Sequence, residues 1–302
     1  MKNFNSFSQL TWLVNTILRA KRITFEEISK CWVDCDMANG KSLSRSTFYR
    51  YKDAIADMFG IVIECDIEHG YHYYISNPEV LCDNSTQTWM FRTLSVSSDL
   101  LDGLAVKDRI LLEDIPMGSE YLEVAIHAMK HNHTLEMGYQ KFDAPEGYTI
   151  MIDPYCLKVF HQRWYLIGKS DAKGEHLTTF AFDRMTNLRE TQESFKPDSH
   201  FSYNHYFDNY FGIIADHSVD VEHIVIRAYK PTDNYLNTLP LHPTQRVVAV
   251  TEDYADFSYD LAPTYDFRQA ILREGHFIEV LAPQSFRDEV RDEMLKALEY
   301  YK

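Results

Sequence analysis

Cysteine is scarce in this sequence: the chain of 302 residues has five, and no two of them form a CxxC pair. A disulfide framework needs paired cysteines in an oxidising compartment, so none is expected here. Scattered cysteines in an odd number are typical of proteins kept in a reducing environment. We therefore predict a cytoplasmic protein whose thiols are mostly buried.

Long apolar runs are also missing. No stretch reaches the ~18 residues that a membrane-spanning helix requires. The N-terminus shows no apolar segment of the kind found in secretory signals. The sequence therefore predicts no membrane partner.

Positive charge is in short supply, with 30 lysines and arginines against 45 aspartates and glutamates and a net charge of −15. This balance argues against a protein that binds polyanions without specificity. The charge is uneven, however, because residues 1–76 carry nine basic and nine acidic side chains. All of the negative excess follows that segment, which leaves room for a local basic patch within it.

Common catalytic motifs are absent: the sequence has no GxSxG, no P-loop and no GxGxxG. We therefore predict a protein that is not an enzyme, with no catalytic residues and no cofactor. His127, His131 and His133 invite comparison with metal ligands, since the first two lie one helical turn apart. No fourth ligand is evident, and the HNH triplet at 131–133 lacks the context of a nuclease. A solvated helix end is the preferred interpretation, and no metal site is predicted.

What the sequence does contain begins with three helical patterns and a hairpin. Apolar residues recur at helical spacing in the first pattern. Thr24 and Glu27 form a capping box for the second helix, and Ser44 is the cap of the third. The run IVIECDIEHGYHYYIS then alternates on either side of a turn at EHG, which indicates a β-hairpin. Residues 1–76 are therefore predicted to form a winged helix-turn-helix.

The third helix has a basic, polar face with no acid before Asp53. A helix N-terminus without carboxylates can receive a phosphate, and the third helix of this arrangement enters the major groove. The alternative is a small helical domain whose basic side chains are only solvated. The predicted partner is a double-stranded DNA operator, and the predicted contact residues are Lys41, Ser44, Arg45, Ser46, Thr47, Tyr49, Arg50, Lys52 and His69.

The rest of the chain divides into three further segments, which completes an α+β fold. Residues 77–131 show helical patterns and are predicted to be a connector, through which two chains could also pair. Residues 132–215 contain short runs of aromatic and branched residues, typical of a small antiparallel barrel. Residues 216–302 follow the order βαββαβ, a ferredoxin-like arrangement, and end in an amphipathic helix.

The strand segment carries the motifs MGYQKF, DPYCLKVFHQRWYLIG and FAFDRM in that order. This order resembles the WYL-domain transcriptional regulators of bacteria, whose name matches Trp164, Tyr165 and Leu166. The resemblance extends over nearly the whole chain. It implies a winged helix-turn-helix at 1–76, a WYL domain with an Sm-like (SH3-like) barrel at 132–215, and a C-terminal extension domain at 216–302.

The same resemblance implies that the barrel senses a nucleotide or an oligonucleotide. Arginine suits phosphate and an aromatic ring suits a base. The candidate ligand residues are Tyr139, Lys158, His161, Arg163, Tyr165 and Arg184. For each arginine the alternative is an internal salt bridge, for example with Asp183 or Asp153. Many family members carry further arginines where this chain has Thr178 and Ala181, so the pocket is expected to be less cationic than usual.

The family resemblance implies a homodimer that binds an inverted repeat and acts as a ligand-responsive repressor, and some members accompany phage-defence systems. Two alternatives remain open. One is a regulator whose WYL domain does not sense a ligand and serves dimerisation or protein contacts. The other is a nucleic-acid-processing enzyme that uses a site in the barrel.

Overall fold

The computed structural model describes residues 2–35, 41–83, 85–102, 119–142, 144–170, 176–203 and 205–302. Two compact units share the chain, with the division after residue 113. Helices and antiparallel sheets occur in both units, in agreement with the predicted mixed fold. None of the helices in the described part of the chain is long and apolar enough to cross a membrane.

The described part of the N-terminal unit contains four α-helices and a small sheet. Its elements are α1 (Lys2–Ala20), β1 (Ile23–Thr24), α2 (Phe25–Val33), α3 (Arg45–Phe59), β2 (Ile63–Asp66), β3 (His72–Ile75) and α4 (Thr86–Asp102). The three strands pair antiparallel in the order β1-β3-β2. Ile17, Ile28 and Phe48, one from each of the first three helices, are fully buried in a single core.

Helix ends in this unit follow from local chemistry. The Thr24 hydroxyl accepts from the Glu27 backbone N–H, and the Glu27 carboxylate accepts from the Thr24 backbone N–H, which is the predicted capping box. The Ser44 hydroxyl accepts from the Thr47 backbone N–H at 3.2 Å and begins α3. Gly60, at φ +66°, ends it in the left-handed region that glycine tolerates best.

The C-terminal unit begins with a helix and a bent five-stranded sheet. These elements are α5 (Leu122–His131), β4 (His133–Tyr139), β5 (Tyr148–Phe160), β6 (Arg163–Lys169), β7 (Leu177–Ala181) and β8 (Met185–Ser194). The strand order is β7-β6-β5-β4-β8, all antiparallel. The first part of the long strand β5, up to Ile152, pairs with β4, and the part from Asp153 onward pairs with β6, with an irregularity between Pro154 and Cys156 inside that second pairing. No ladder between described residues joins β7 to β8, so closure into an Sm-like barrel stays a prediction.

A second sheet completes this unit. Its elements are β9 (Glu222–Tyr229), α6 (Thr232–Thr238), β10 (Arg246–Val250), β11 (Tyr254–Leu261), α7 (Tyr265–Arg273), β12 (Ile278–Ala282) and α8 (Gln284–Glu299). The strands pair antiparallel in the order β10-β11-β9-β12. Phe257, Phe267 and Phe286 are buried between the sheet and its helices. The chain thus runs βαββαβα, and its assignment to the ferredoxin-like class stays a prediction.

The segment predicted as a helical connector contributes to two different cores. Phe91 of α4 packs into the core of the N-terminal unit, and the Asn15 side chain donates to the Ser95 hydroxyl at 2.6 Å. Ala125 and Ala128 of α5 pack into the core of the five-stranded sheet. Residues 103–118, also part of that prediction, lie outside the described residues.

The prediction that the thiols are mostly buried is wrong. Cys31 and Cys82 are exposed, and the other three cysteines are only partly buried. Cys31 lies on the outer side of α2, whose buried side carries Ile28 and Trp32. Helical spacing locates an apolar stripe, but a small residue beside that stripe does not have to join it.

Candidate nucleic-acid interface and ligand cavity

The N-terminal end of α3 is an exposed basic feature of its unit. Lys41, Arg45 and Arg50 are exposed, and Ser44 and Ser46 lie between them on the surface. The first turn contains no acidic residue, so the positive end of the helix dipole has no carboxylate of its own. Thr47 and Lys52 are half-buried, and 47% of Tyr49 is exposed. The eight predicted residues around α3 therefore present polar or positive groups to solvent along its first half.

Arg45 is held by two neighbours on α2. Its Nη2 lies 2.8 Å from Glu26 Oε1, and its guanidinium carbon lies 4.5 Å from the centre of the Phe25 ring. The ion pair is exposed on both sides, and exposed pairs contribute little to stability. Arg45 is therefore oriented by α2 and can exchange Glu26 for another anion at small cost.

A cleft of about 490 Å³ separates α3 from the hairpin formed by β2 and β3. Arg45, Tyr49 and Lys52 line it from the helix, and Tyr71 and Tyr73 line it from the hairpin. The hydroxyls of Tyr49 and Tyr73 lie 3.4 Å apart. Burial, and then the contact with Tyr49, raise the pKa of Tyr73, so the Tyr73 side chain is an uncharged wall of the cleft.

The hairpin tip holds one predicted residue and two that the sequence analysis missed. His69 Nδ1 lies 2.9 Å from Asp66 Oδ1, and Arg22 also pairs with Asp66. Hydrogen bonds from His69 and Arg22 hold the pKa of Asp66 low, so a carboxylate lies beside both of these groups at the hairpin. Ile67 and Tyr71 are more than 60% exposed at the tip. Both residues could have been identified from the sequence, because apolar and aromatic residues are unusual inside a turn.

Two of the six predicted ligand residues, Tyr139 and Arg184, line one cavity of about 230 Å³. The guanidinium carbon of Arg184 lies 3.9 Å from the centre of the Phe142 ring. Arg184 Nε is buried and has no hydrogen-bond partner among the described residues. Such a donor is costly unless something accepts from it, which makes this cavity the best-supported anion site of the sheet.

Tyr139 forms the buried wall of this cavity. Its hydroxyl accepts from the Ala181 backbone N–H at 3.3 Å, and burial raises the pKa of the phenol despite that bond and the nearby Arg184. Thr178 also lines the cavity, at a position where the family resemblance implies an arginine in many members. Phe142 and Tyr148, two further lining residues, were not predicted, although Phe142 ends the MGYQKF motif.

Lys158 and Tyr165 belong to a second apolar cluster instead. They face each other across β5 and β6, and Tyr165 is only 8% exposed. Lys158 Nζ lies 3.5 Å from the centre of the Phe207 ring. Burial lowers the pKa of Lys158 to about 8 and raises that of Tyr165. Neither side chain is among those that line the cavity of Tyr139 and Arg184.

The last two predicted ligand residues lie at the exposed start of β6. Arg163 Nη1 is 3.4 Å from Asp183 Oδ2, which is the internal salt bridge considered in the sequence analysis. His161 has φ +46° and Gln162 has φ +64° in the two-residue turn before the strand. From there the side chains alternate along the strand: Trp164 and Leu166 pack on one core, and Tyr165 and Ile167 on the other.

A larger cavity, of about 480 Å³, contains none of the predicted residues. Lys169, Lys196 and His217 contribute positive or titratable groups, and Tyr155 and Tyr206 contribute aromatic rings. Burial raises the pKa of Tyr206 to about 12. These residues come from distant parts of the sequence, so no spacing pattern pointed to them.

Comparison with known proteins agrees with the motifs. Residues 120–190 match the WYL domain family, and residues 220–298 match the WCX domain family. No protein with curated annotation matches the chain.

Similar solved structures include proteasome accessory factor B/C (PafBC) of Arthrobacter aurescens, at 17% identity and a TM-score of 0.37. The similarity covers 95% of this chain and 46% of that one, so the chain spans about half the length of that protein. A structure described as a CRISPR Cas-related protein has 14% identity and a TM-score of 0.39, over 86% of this chain and 74% of the other. The chain thus carries a WYL domain followed by a WCX domain, which supports the predicted resemblance to the WYL-domain regulators.

Proposed function

We propose that the protein is a DNA-binding transcriptional regulator, acting as a repressor, and not an enzyme. The observation that carries this proposal is the exposed, acid-free N-terminal end of α3 beside the cleft of the hairpin. Three helices followed by an antiparallel hairpin fit a winged helix-turn-helix, in which α3 enters the major groove. The match to the WYL domain family supports the same function.

The proposed working unit is a homodimer on an inverted repeat. Residues 1–76 have equal numbers of acidic and basic side chains, so one copy gains little from non-specific attraction to phosphate. Two copies add their base contacts on one duplex, with half-sites spaced by the helical repeat of DNA. The two-fold symmetry of the inverted repeat then matches the two-fold symmetry of the homodimer.

Selection from a random duplex pool tests DNA binding without knowledge of the operator. The native protein is expected to enrich an inverted repeat, whereas Arg45→Glu/Arg50→Glu enriches none. Arg273→Glu/Lys296→Glu is the matched control, because it makes the same charge change at two exposed residues of the C-terminal unit. The proposal is wrong if the native protein enriches nothing, or if the α3 variant selects the same sequences with the same affinity.

We further propose that a nucleotide or an oligonucleotide regulates this binding through the cavity of Tyr139 and Arg184. The buried Nε of Arg184 is the donor that a phosphate would accept from, and Phe142 offers an exposed aromatic face beside it. Arg163, by contrast, is already paired with Asp183, so Arg184 has the larger role in this proposal.

Gel-shift titrations on the selected duplex, with added mononucleotides or short oligonucleotides, test the effector. Release of DNA by one of these ligands is expected, and Arg184→Gln should bind DNA normally but lose the release. Arg189→Gln serves as the control, since Arg189 pairs with Glu136 on the exposed surface of the same sheet. If no ligand releases DNA, or Arg184→Gln responds as the native protein does, the WYL domain does not sense through this cavity.

A further inference from the structure

Three histidines and one glutamate meet beside the sheet of the WYL domain. His127 and His131 lie on α5, His133 begins β4, and Glu190 lies on β8. His127 Nδ1 is 2.6 Å from Glu190 Oε2, and His133 Nδ1 is 2.5 Å from Glu190 Oε1. The two outer rings also lie close to that of His131, with centroids 4.2 Å away for His127 and 5.7 Å for His133.

The fold brings these residues together although Glu190 is distant from the histidines in the sequence. A spacing of four residues puts His127 and His131 on one face of α5. Asn132, with φ +54°, ends the helix and turns the chain at once into β4. Glu190 arrives from β8, which pairs with β4 so that Leu135 stands opposite Glu190. The carboxylate thus joins the two helix histidines as a third candidate ligand, which was not evident from the histidine spacing alone.

The hydrogen bond of His131 suits a metal ligand. His131 Nδ1 lies 2.9 Å from the backbone oxygen of His127, so a neutral ring donates its Nδ1 proton there and keeps the lone pair on Nε2. The cluster therefore offers an imidazole nitrogen of His131 beside the carboxylate of Glu190.

We propose that His127, His131 and Glu190 bind a divalent first-row transition metal ion, with zinc as the best match. One ligand atom from each residue lies within 4.8 Å of the other two. Tetrahedral zinc with bonds of about 2.1 Å needs ligand atoms about 3.4 Å apart, a distance that small side-chain rotations reach. Imidazole and carboxylate ligands favour zinc over calcium or magnesium, which prefer oxygen alone.

His133 has a separate part in this site. Its bond to Glu190 Oε1 fixes the carboxylate while Oε2 is turned towards His127. A partner of this kind orients a ligand and tunes its affinity. His133 is therefore a positioning residue, and the fourth coordination position is left for water or for a further ligand.

Metal binding here would join α5 to β8 and so stabilise the WYL domain. His127 and His131 are exposed, and Glu190 is partly buried, which gives an ion access from solvent. A ligand that binds the folded state alone raises the melting temperature by an amount that grows with the logarithm of its concentration relative to its dissociation constant. The site can thus be detected both by stoichiometry and by stability.

The test uses full-length protein that has been treated with a chelator and dialysed. Calorimetric titration with zinc measures affinity, cobalt absorption reports tetrahedral coordination, and thermal unfolding follows stability. We expect one zinc per chain in the native protein, a rise in melting temperature, and binding at least ~100-fold weaker in His127→Ala/His131→Ala. Glu190→Gln should weaken binding at least ~10-fold.

The matched control is His205→Ala/His223→Ala. Both of these histidines are exposed and bond a carboxylate, of Asp208 and of Asp260, but they belong to no cluster of three among the described residues. Control and native protein should bind zinc alike. The proposal is overturned if the native protein binds no stoichiometric metal, or if the variant at 127 and 131 binds as tightly as the control. Unfolding without metal checks that each variant is folded.

Discussion

Lys158 places an ammonium group where water reaches it poorly. It lies over the Phe207 ring at 3.5 Å, and burial lowers its pKa to about 8 from an ordinary 10.5. The attraction between cation and ring offsets part of the lost hydration. The part of the lost hydration energy that is not offset opposes folding whenever Lys158 is protonated.

Lys158→Met should therefore stabilise the folded protein at pH 7, by about 1–2 kcal/mol after allowance for partial exposure. Below pH 8 both states hold the proton, so the penalty of the native lysine is complete. Between pH 8 and 10.5 the folded state releases its proton before the unfolded one, and the penalty disappears. Urea unfolding of both proteins from pH 7 to 10 should show their difference shrinking.

Lys130→Met is the comparison for this pH series, because Lys130 is an exposed lysine in the last turn of α5. Its effect on the free energy of unfolding should be small, because the side chain is exposed in the folded protein. A pH-independent gain for Lys158→Met would contradict the prediction.

Local residue roles were predictable, but partners at long range were not. The caps at Thr24 and Ser44 depend on residues three positions away, so spacing alone reveals them. Whether Arg163 meets Asp183 or a ligand depends on how the chain turns between β7 and β8. Glu190 is separated from His127 by 63 residues, and only the strand pairing determines that they meet.

At the scale of elements, β6 owes its position to a glycine. A Cβ added to Gly168 would lie 2.5 Å from Ile152 Cγ2 and 2.6 Å from the Asp153 backbone oxygen. Those atoms belong to β5, the neighbouring strand. The absence of a side chain at 168 therefore allows the bent strand to approach β6 closely.

Gly168→Ala should lower the free energy of unfolding by about 2 kcal/mol, because the new methyl group forces β5 and β6 apart. Gly147→Ala provides the control: its Cβ would meet no atom nearer than 3.4 Å. Urea unfolding monitored by tryptophan fluorescence measures both. Equal free energies of unfolding for the two variants would show that β5 and β6 accommodate the methyl group without loss of stability.

Element type and order were largely predictable because hydrophobic periodicity is local. The alternation of Trp164 and Tyr165 between two cores follows from the period of two along a strand. The bend of β5 and the edges of the five-stranded sheet were not predictable, because they depend on contacts such as that between Gly168 and Asp153.

At the scale of the whole molecule, charge decides how the protein would approach DNA. The chain has a net charge of −15, and Arg45 of the proposed interface is already paired with Glu26. Binding to phosphate has to overcome both the general repulsion and this local competitor. Affinity should therefore depend strongly on salt and on Glu26 in particular.

Glu26→Gln should tighten binding to the selected duplex about two- to fivefold near 0.1 M salt, because Arg45 is released to a phosphate. The slope of log affinity against log salt should steepen by about one. Glu79→Gln makes the same charge change at another exposed position of this unit and should have less effect. Fluorescence anisotropy over a salt series measures the affinity of both variants. Identical binding curves for Glu26→Gln and Glu79→Gln would show that Arg45 does not contact DNA.

Asn132 alone separates α5 from β4. A single residue spans less than 4 Å, so the junction holds no slack that could absorb a movement of the helix. If α5 advanced by one residue, β4 would have to follow by one residue. Leu135 and Met137, both fully buried, would then turn to the opposite face of the sheet. A movement of α5 along its axis is consequently coupled to a change in the register of β4.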